Sequence, residues 1–430
     1  MKKCDRKDIT RRDFMKKVGK GATALGVASV MPRLVKPAKA AKRDYILIGR
    51  PDPQTGPVSG FGEPTPWVDN RVAAEVNKAG GIYVKEAGKK LPIKFKIMDT
   101  ESNPTKAAEI ASRLILKDKI DLMVVLNTPD VVNPVSAICE RYEMPCVCGN
   151  NPADVWLTGG PYKWSYLAFW TVESVIDIYI GMWDEIAHKT NKVVGVLFQN
   201  DPDGMKWSNI FNKLLPAKGY KIIDPGRFPY GLQDYTAIIN RFKKEKVEIL
   251  AGTIIPPDWI TGWRQCHQQG FIPKIATIGK ALLLPAEVYA LGGNLPNGLT
   301  TECQFSPAFP FKSSLTGETP KDICEAWTKE TGKQWTQPIG GIHSTLERAI
   351  DALRRAQSLD KNKIRDAIAS TDMDTLIGHV KYGEQHYCET PLVGGQWVRG
   401  KKWKWDFEVI YNKSHPEIPV TSKLLFPLAK

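Results

Sequence analysis

The sequence predicts an α/β fold in which parallel strands are flanked by helices on both faces. Between residues 92 and 152 the pattern is strand, helix, strand, helix, strand, and crossovers of this kind imply parallel pairing. Residues 120–126 (IDLMVVL) form an almost unbroken apolar run, which is typical of a strand covered on both sides. The alternation restarts after Trp170, and about 390 residues follow residue 40, which is enough for two lobes of the same architecture.

The first predicted elements flank a loop rich in glycine and proline. Residues 45–49 (YILIG) are predicted to form a strand, and residues 65–78 a helix that ends at an Ala-Gly-Gly sequence. The loop between them contains Ser59 and Phe61. It therefore joins the first strand to the first helix of the predicted fold.

The next stretch contains a clear helix start. Residues 93–98 alternate apolar and basic side chains, as a strand with unlike faces does. Asn103 and Pro104 then supply an N-cap and a first-turn proline. The following helix carries apolar residues on one face, namely Ala107, Ile110, Ala111 and Leu114. A second helix at 131–142 and a short buried strand at 145–148 complete this stretch.

The rest of the chain repeats the alternation. We predict strands at residues 163–170, 192–198, 221–224, 248–253, 274–279 and 298–305. We predict helices at residues 172–189, 234–245, 260–269, 321–331 and 342–357. The tail from residue 378 is predicted to consist of short strands and loops.

Small polar residues follow several of the predicted parallel strands. Thr100, Asn127, Thr128 and Asn150 each stand at such a position. In open α/β sheets, ligands bind beyond the carboxyl ends of the strands. The sequence therefore predicts a binding surface for a small polar molecule, and this surface has no evident pairing of a nucleophile with a base.

Residues 1–40 are predicted to be an export signal. Residues 10–16 fit the twin-arginine pattern, with Arg11 and Arg12 as its two arginines. A weakly apolar stretch follows, and a small-x-small cleavage sequence ends at Ala40. The alternative is a basic arm that contains two arginines by coincidence. The signal predicts a periplasmic mature chain and the twin-arginine export machinery as a partner.

The net charge of +14 misleads about the mature chain. Residues 1–40 carry 12 Lys and Arg against 3 Asp and Glu, a net +9, so the remainder is +5. A charge this small over so many residues gives no reason to predict binding to nucleic acid.

Seven cysteines follow the predicted signal. We expect Cys146 and Cys148 to be two buried thiols that point to opposite faces and make poor disulfide partners. Cys303 and Cys324 could pair in an oxidising compartment, although the sequence leaves the connectivity open.

Several segments together resemble one protein family. These are TGPVSGFG, EVNKAGGI, NPTKAAEIASRLI after an acidic strand end, and IGHVKYGEQ. In this order they resemble the leucine/isoleucine/valine-binding group of type I periplasmic solute-binding proteins. The resemblance implies two Rossmann-like lobes joined by three crossing strands. It implies residues 44–168 plus 299–383 in lobe 1, and 170–298 plus 384–430 in lobe 2.

The same resemblance implies a function. Ligand would bind between the lobes, the lobes would close by a hinge motion, and the closed complex would be presented to an ABC transporter permease. It implies a monomer without cofactors and without catalysis.

The resemblance also implies roles for particular residues. Phe61 would contact the side chain of the ligand, or else fill a loop. Thr128 would bind a ligand carboxylate through its hydroxyl, or else cap a strand end. Asn150 lies near the loop that completes the carboxylate site, and Asp203 lies where a residue of lobe 2 covers the ligand, or else in an ordinary turn. The full predicted ligand-binding set is Ser59, Phe61, Asn127, Thr128, Asn150, Trp170, Asp203 and Lys280.

Lys280 is the main departure from the family pattern. The amino-acid binders place a glutamate there to neutralise the ammonium group of the ligand. A lysine would repel that group, at a cost of several kcal/mol in a partly dry cleft. Our hypothesis is a carboxylate ligand other than an ordinary α-amino acid, aromatic in view of Phe61, Trp170, Trp259 and Trp263. The alternative is a solvated surface lysine.

Two other functions remain as alternatives. One is a ligand sensor that signals to a membrane receptor. The other is a cofactor-free exported hydrolase, but the six histidines show no metal-type spacing and Gly-x-Ser-x-Gly is absent. We therefore expect no enzyme, no metal and no cofactor.

Overall fold

Two β-sheets, both made mainly of parallel strands, organise the computed structural model, which describes residues 44–428. The predicted signal residues Arg11, Arg12 and Ala40 lie outside the described residues. Within residues 44–428, no helix combines the length and the apolar character needed to cross a membrane.

The first sheet has six strands, all paired in parallel. Its spatial order is β16-β7-β6-β5-β1-β4. The strands are β1 (Ile46–Asp52), β4 (Ile93–Asp99), β5 (Leu122–Val125), β6 (Cys146–Gly149), β7 (Ser165–Ala168) and β16 (Tyr387–Cys388).

The second sheet has eight strands in the order β10-β8-β11-β12-β13-β17-β18, with β9 paired to β8. Its pairings are parallel as far as β13, and the two pairings from β13 to β17 and from β17 to β18 are antiparallel. The strands are β8 (Val193–Gln199), β9 (Lys221–Ile223), β10 (Arg227–Phe228), β11 (Ile249–Ile254), β12 (Ile275–Lys280), β13 (Thr300–Cys303), β17 (Val393–Arg399) and β18 (Trp405–Tyr411).

Two hairpins and the helices complete the described chain. The hairpins pair β2 (Ile82–Val84) with β3 (Lys89–Leu91) and β14 (Asp372–Thr375) with β15 (Gly378–Lys381). The α-helices are α1 (Thr65–Lys78), α2 (Pro104–Leu116), α3 (Pro129–Arg141), α4 (Ala153–Trp156), α5 (Val172–Asp184), α6 (Pro202–Ala217), α7 (Thr236–Lys244), α8 (Pro256–Gln268), α9 (Pro285–Leu291), α10 (Pro320–Thr331), α11 (Pro338–Ala356) and α12 (Lys361–Ala369).

Strand β5 shows why its sequence is apolar throughout. Leu122 and Val124 pack into one hydrophobic cluster, together with helices α1 and α11. Met123 and Val125 point to the opposite face and pack into another cluster, with helices α2 and α3. Because alternate residues of a strand face opposite sides, a strand covered on both sides needs an apolar residue at every position.

Helix α2 begins and packs as predicted. The Asn103 side chain accepts a hydrogen bond from the backbone N–H of Lys106, and Pro104 occupies the first turn. The four residues predicted to share its apolar face are all buried. Helices α9 and α12 are among the elements that we did not predict from the sequence. Helix α12 nevertheless carries a helix signal, since Asp360 is its N-cap and Ile364 and Ile368 are buried.

The chain passes between the two sheets three times, after β7, after β13 and after β16. Two strands lie near these passages. Thr300–Cys303, which we expected in lobe 1, pairs with β12 and β17 of the second sheet. Tyr387–Cys388, which we expected in lobe 2, pairs with β7 of the first sheet. Each crossing segment thus continues a strand before it leaves the sheet. The division into lobes stays a prediction.

The cysteine expectations need correction. Cys146 and Cys148 are buried, but they share one face of β6, with their Sγ atoms 3.5 Å apart. Residues two apart on a strand point to the same side, so the expectation of opposite faces was wrong. Cys303 and Cys324 are both buried free thiols and do not form the disulfide that we considered.

A buried ion pair joins the first sheet to helix α1. Arg50 Nε donates to Asp69 Oδ2 at 2.8 Å, and both side chains are at most 1% exposed. Arg50 also donates to the carbonyl oxygen of Val124 on the neighbouring strand, at 3.4 Å. The guanidinium group therefore ties two strands to one helix.

We expect Asp69→Ala to lower the free energy of unfolding by about 3–5 kcal/mol, because it leaves the Arg50 charge buried without its carboxylate. The measurement is urea unfolding followed by circular dichroism. Asp351→Ala is the control, since Asp351 pairs with Arg355 on the more exposed face of α11 and should cost at most about 1 kcal/mol. Equal losses in the two variants would contradict the prediction.

Candidate functional site

The carboxyl ends of parallel strands in both sheets face a common cavity. From the side of the first sheet, Thr128 and Asn150 line it, at positions that follow β5 and β6. From the side of the second sheet, Thr253 and Lys280 line it, at the ends of β11 and β12. The empty space of this cavity is about 380 Å³ with its open mouth included.

Six of the eight predicted ligand-binding residues line this cavity. They are Phe61, Thr128, Asn150, Trp170, Asp203 and Lys280, each between 3% and 7% exposed. The other two support the lining residues instead. Ser59 begins the short helical turn that ends at Phe61. Asn127 lies behind the cavity wall and is fully buried. Whether the six residues bind a ligand stays a prediction.

The backbone at these strand ends is strained. Asn127, Thr128, Asn150 and Lys280 all have positive φ angles, of 75°, 84°, 48° and 65°. Such values are uncommon for residues with a side chain, and they are least favourable for a β-branched residue such as Thr128. Strain of about 1–3 kcal/mol per residue persists only where the surrounding structure enforces it, and it is concentrated at functional sites.

A chain of hydrogen bonds holds the strand ends of the first sheet. Asn150 Nδ2 donates to Asn127 Oδ1 at 3.0 Å, and Asn127 Nδ2 donates to Asp52 Oδ1 at 3.0 Å. Thr65 Oγ1 donates to the same Asp52 oxygen at 3.0 Å. Burial raises the pKa of Asp52 to about 7, although the charge of Arg50 and the hydrogen bonds oppose this rise. Asp52 therefore orients Asn150 through Asn127 without reaching the cavity itself.

Lys280 is buried and paired, not solvated. Its Nζ lies 2.9 Å from Asp203 Oδ2 and 3.3 Å from Asp201 Oδ2. Burial lowers the pKa of Lys280, but the two carboxylates outweigh burial and hold this pKa well above its usual range. The lysine charge is thus compensated within the protein. The premise that an unopposed Lys280 charge would repel an ammonium group was wrong.

The two aspartates respond differently to the same lysine. Burial raises the pKa of Asp203 to about 6, against the opposing charge of Lys280. Burial also raises the pKa of Asp201, but Lys280 together with hydrogen bonds from Tyr230 and the Gly204 N–H lowers it below the usual range. Asp203 is no ordinary turn residue, because it lies in the first turn of α6 and lines the cavity.

Aromatic rings form the apolar part of the wall. Phe169 and Trp170 lie in contact, with ring centroids 4.4 Å apart, and Trp170 Nε1 donates to Gln304 Oε1 at 2.9 Å. Trp207 lines the wall from α6. The sequence interpretation missed Phe169, Trp207 and Gln304. Trp207 could have been found, since it follows Asp203 by four residues and shares its helix face.

Trp259 and Trp263, which we expected near the ligand, lie elsewhere. They belong to the hydrophobic cluster of the second sheet, where their rings stack 5.0 Å apart. Trp263 Nε1 donates to the Leu295 carbonyl oxygen at 3.1 Å. These tryptophans lie on the face of α8 that packs against the sheet, so they stabilise the core and do not line the cavity.

Several polar atoms of the lining residues are buried without a hydrogen-bond partner in the part of the chain that the structure describes. They are Thr128 Oγ1, Asp203 Oδ1 and Trp207 Nε1, and also Asn150 Oδ1, which lies against Gly341. Buried polar groups in native proteins are normally paired. The first three include a hydroxyl, a carboxylate oxygen and an N–H donor, which is the set that a small ligand with both donors and acceptors would satisfy.

A serine–histidine pair lies outside this cavity. His343 Nε2 is 2.9 Å from Ser313 Oγ, and both residues are buried. The same Ser313 oxygen accepts hydrogen bonds from the backbone N–H groups of Leu315 and Thr316. This hydroxyl therefore holds a loop in place. Within residues 44–428, no group of three or more His, Cys, Asp or Glu residues is placed to hold a metal ion.

Comparisons with known proteins agree with this geometry. Residues 46–402 match the family model described as "Periplasmic binding protein". The chain is 24% identical over 371 residues to the Leu/Ile/Val-binding protein homolog 3 of Brucella melitensis, and the alignment covers 82% of this chain and 91% of that protein.

Two solved structures are similar in fold. The leucine-binding protein LivK of Thermotoga maritima has a TM-score of 0.72 and 20% sequence identity, with 86% of this chain and 99% of that chain covered. A solute-binding protein of an ABC transporter from Rhodopseudomonas palustris, in complex with 3,4-dihydroxybenzoic acid, has a TM-score of 0.67 and 18% identity. There the coverage is 85% of this chain and 96% of that chain.

The raised pKa of Asp52 predicts a pH-dependent stability. The folded state binds the Asp52 proton more tightly than the unfolded state, so the stability contributed by this group is present at low pH and is lost as pH rises from about 4 to about 7. We expect Asp52→Asn to flatten the dependence of unfolding free energy on pH in this range, by at most about 1.4 kcal/mol per pH unit. Asp366→Asn, at an exposed pair with Arg365, is the control and should leave the slope unchanged. A wild-type slope in Asp52→Asn would refute this role.

Proposed function

Because this chain belongs to the periplasmic binding protein family, we propose that it captures a small solute between its two lobes and delivers it to an ABC transporter permease. The observation that carries the proposal is the cavity bounded by strand ends of both sheets, where buried polar atoms of Thr128, Asp203 and Trp207 have no hydrogen-bond partner among residues 44–428. The strained backbone at Thr128 and Lys280 supports it. We further propose a periplasmic location, with residues 1–40 as the export signal.

The solute that fits best is a small aromatic carboxylate with a hydrogen-bond donor at its other end. On the side of the first sheet, the N-terminus of α3 and the Thr128 hydroxyl suit a carboxylate group. On the side of the second sheet, Asp203 Oδ1 can accept a hydrogen bond from a ligand hydroxyl. The rings of Phe61, Phe169 and Trp207 suit an aromatic body between these ends.

The similar proteins represent two ligand classes. One solved structure contains 3,4-dihydroxybenzoic acid. The curated relative is named as a Leu/Ile/Val-binding protein homologue, and another similar structure is a leucine-binding protein. Because the Lys280 charge is compensated, charge repulsion does not separate these classes. The aromatic wall, and the Asp203 oxygen that can accept a hydrogen bond from a ligand hydroxyl, favour the hydroxylated aromatic acid.

A thermal-shift panel tests this proposal directly. Any ligand that binds the native state raises Tm, and a ligand at 100 times its Kd adds about 2.7 kcal/mol of stability. We expect 3,4-dihydroxybenzoate to raise Tm, benzoate to do so much less because it lacks a donor for Asp203, and leucine, isoleucine and valine to have little effect. Sub-micromolar leucine binding would refute the ligand class, and failure of a broad panel of organic acids and amino acids would refute the function.

A single substitution tests the wall of the cavity. Trp207→Phe keeps an aromatic ring but removes the indole N–H, so we expect the affinity for 3,4-dihydroxybenzoate in calorimetry to fall about tenfold, which equals about 1.4 kcal/mol. Trp263→Phe is the matched control, since Trp263 is equally buried but lies in the core of the second sheet. It should lower stability and leave affinity unchanged. Equal affinities of wild type and Trp207→Phe would place the ligand elsewhere.

A further inference from the structure

A tyrosine hydroxyl joins the two sides of the cleft at its rim. Tyr230 follows β10 of the second sheet, and its hydroxyl oxygen lies 3.0 Å from Asp130 Oδ2. Asp130 belongs to the first turn of α3, which packs against the first sheet. The same hydroxyl lies 2.6 Å from Asp201 Oδ2, at the N-cap of α6. One hydroxyl group thus contacts carboxyl groups from both sides.

Counting protons shows that both contacts are full hydrogen bonds only when one carboxyl group carries a proton. A tyrosine hydroxyl has a single proton and can donate it to one oxygen only. If Asp130 and Asp201 were both ionised, one oxygen would face the hydroxyl oxygen without a proton between them, and the two negative charges would repel each other. With one added proton, a carboxyl O–H donates to the tyrosine oxygen, and the tyrosine O–H donates to the other carboxylate.

The surroundings decide which aspartate carries the proton. Asp201 also accepts hydrogen bonds from the Gly204 N–H at 2.6 Å and from Lys280 at 3.3 Å, which favours its ionised form. The Asp130 carboxyl group is hydrogen-bonded to the Tyr230 hydroxyl. Burial raises the pKa of Asp130, Lys280 lowers it, Asp201 raises it and a hydrogen bond from Tyr230 lowers it, and the net change is a rise. Asp203 also faces these carboxyls and pairs with Lys280. Of the two carboxyl groups that contact Tyr230, Asp130 is therefore the one that takes up the proton.

We propose that Tyr230 and Asp130 form a proton-dependent latch across the cleft, so that closure takes up one proton from solvent and opening returns it. The idea rests on the proposed function, in which the two sides separate to admit a solute. When they separate, Asp130 loses Tyr230 and returns to water as an ordinary ionised carboxyl. Because its pKa is raised only in the closed state, the latch stabilises closure at low pH and is lost as pH rises through that raised value.

The first test uses the protein without any ligand. Tyr230→Phe removes only the hydroxyl, and Tyr83→Phe is the matched control, since the two tyrosines are 40% and 42% exposed. We expect Tyr230→Phe to lower Tm at pH 5.5 by about 2 °C or more and to increase the radius of gyration in small-angle X-ray scattering. At pH 8 both differences from wild type should shrink by half or more. Tyr83→Phe should match wild type in shape at both pH values.

Asp130→Asn separates a proton effect from a packing effect. The asparagine amide can donate to Tyr230 at every pH, so it imitates the protonated aspartate. In this background, adding Tyr230→Phe should change Tm and radius of gyration equally at pH 5.5 and pH 8. The latch is overturned if Tyr230→Phe has no effect in the wild-type background, or if its effect there is the same at both pH values.

Calorimetry with 3,4-dihydroxybenzoate measures the number of protons taken up when the compound binds. Titrations in buffers of different ionisation enthalpy should show proton uptake on binding to wild type, and this uptake should disappear in Asp130→Asn. If the compound binds without proton uptake, the latch fails and the proposed function stands. If neither this compound nor the ligand panel binds, the proposed function fails, while the ligand-free comparison of Tyr230→Phe still decides the latch.

Discussion

The buried pairing of Lys280 with Asp203 and Asp201 is the interaction on which the rest of the site depends. Three charged groups, each at most 8% exposed, lie at the ends of β12 and at the start of α6. Such groups are tolerated in a core only when they compensate one another, because an unpaired buried charge costs several kcal/mol. Their mutual compensation allows these charged groups to be buried beside the cleft. It also leaves one oxygen of Asp203 available to a ligand.

Strained backbone lies around this ion cluster, and it positions the residues that line the cavity. The chain continues from β5, β6 and β12 through residues with positive φ angles, so it turns sharply at three places beside the cavity. On the side of the first sheet, the hydrogen bonds from Asn150 through Asn127 to Asp52 hold the turned backbone in place. The residues that touch the cavity are therefore few, but their positions depend on fully buried residues behind them. Substitutions at Asp52 or Asn127 act on the cavity through Asn150.

The sequence carried much of the fold because local patterns reported it directly. The unbroken apolar run of β5 and the Asn103 cap of α2 follow from burial and backbone hydrogen bonding within a few residues. The boundaries of α1 agree with the prediction to the residue. Helix α9 lacked a strong signal of this kind, and the sheet to which each strand near the crossing segments belongs could not be predicted, because pairing between distant strands leaves no local pattern.

For the site, the sequence by itself determined which positions reach the cavity, since residues that follow parallel strands in both halves must meet between the sheets. Thr128 and Asn150 were found in this way, and Lys280 was found through the resemblance to the family. Only the tertiary structure decided what these residues do there. The compensation of Lys280 by Asp203 and Asp201, the placement of Trp259 and Trp263 in the core, and the contact of Tyr230 with Asp130 all depend on distances between residues far apart in the chain. Electrostatic energy depends on those distances and on burial, and neither quantity is present in the order of the residues.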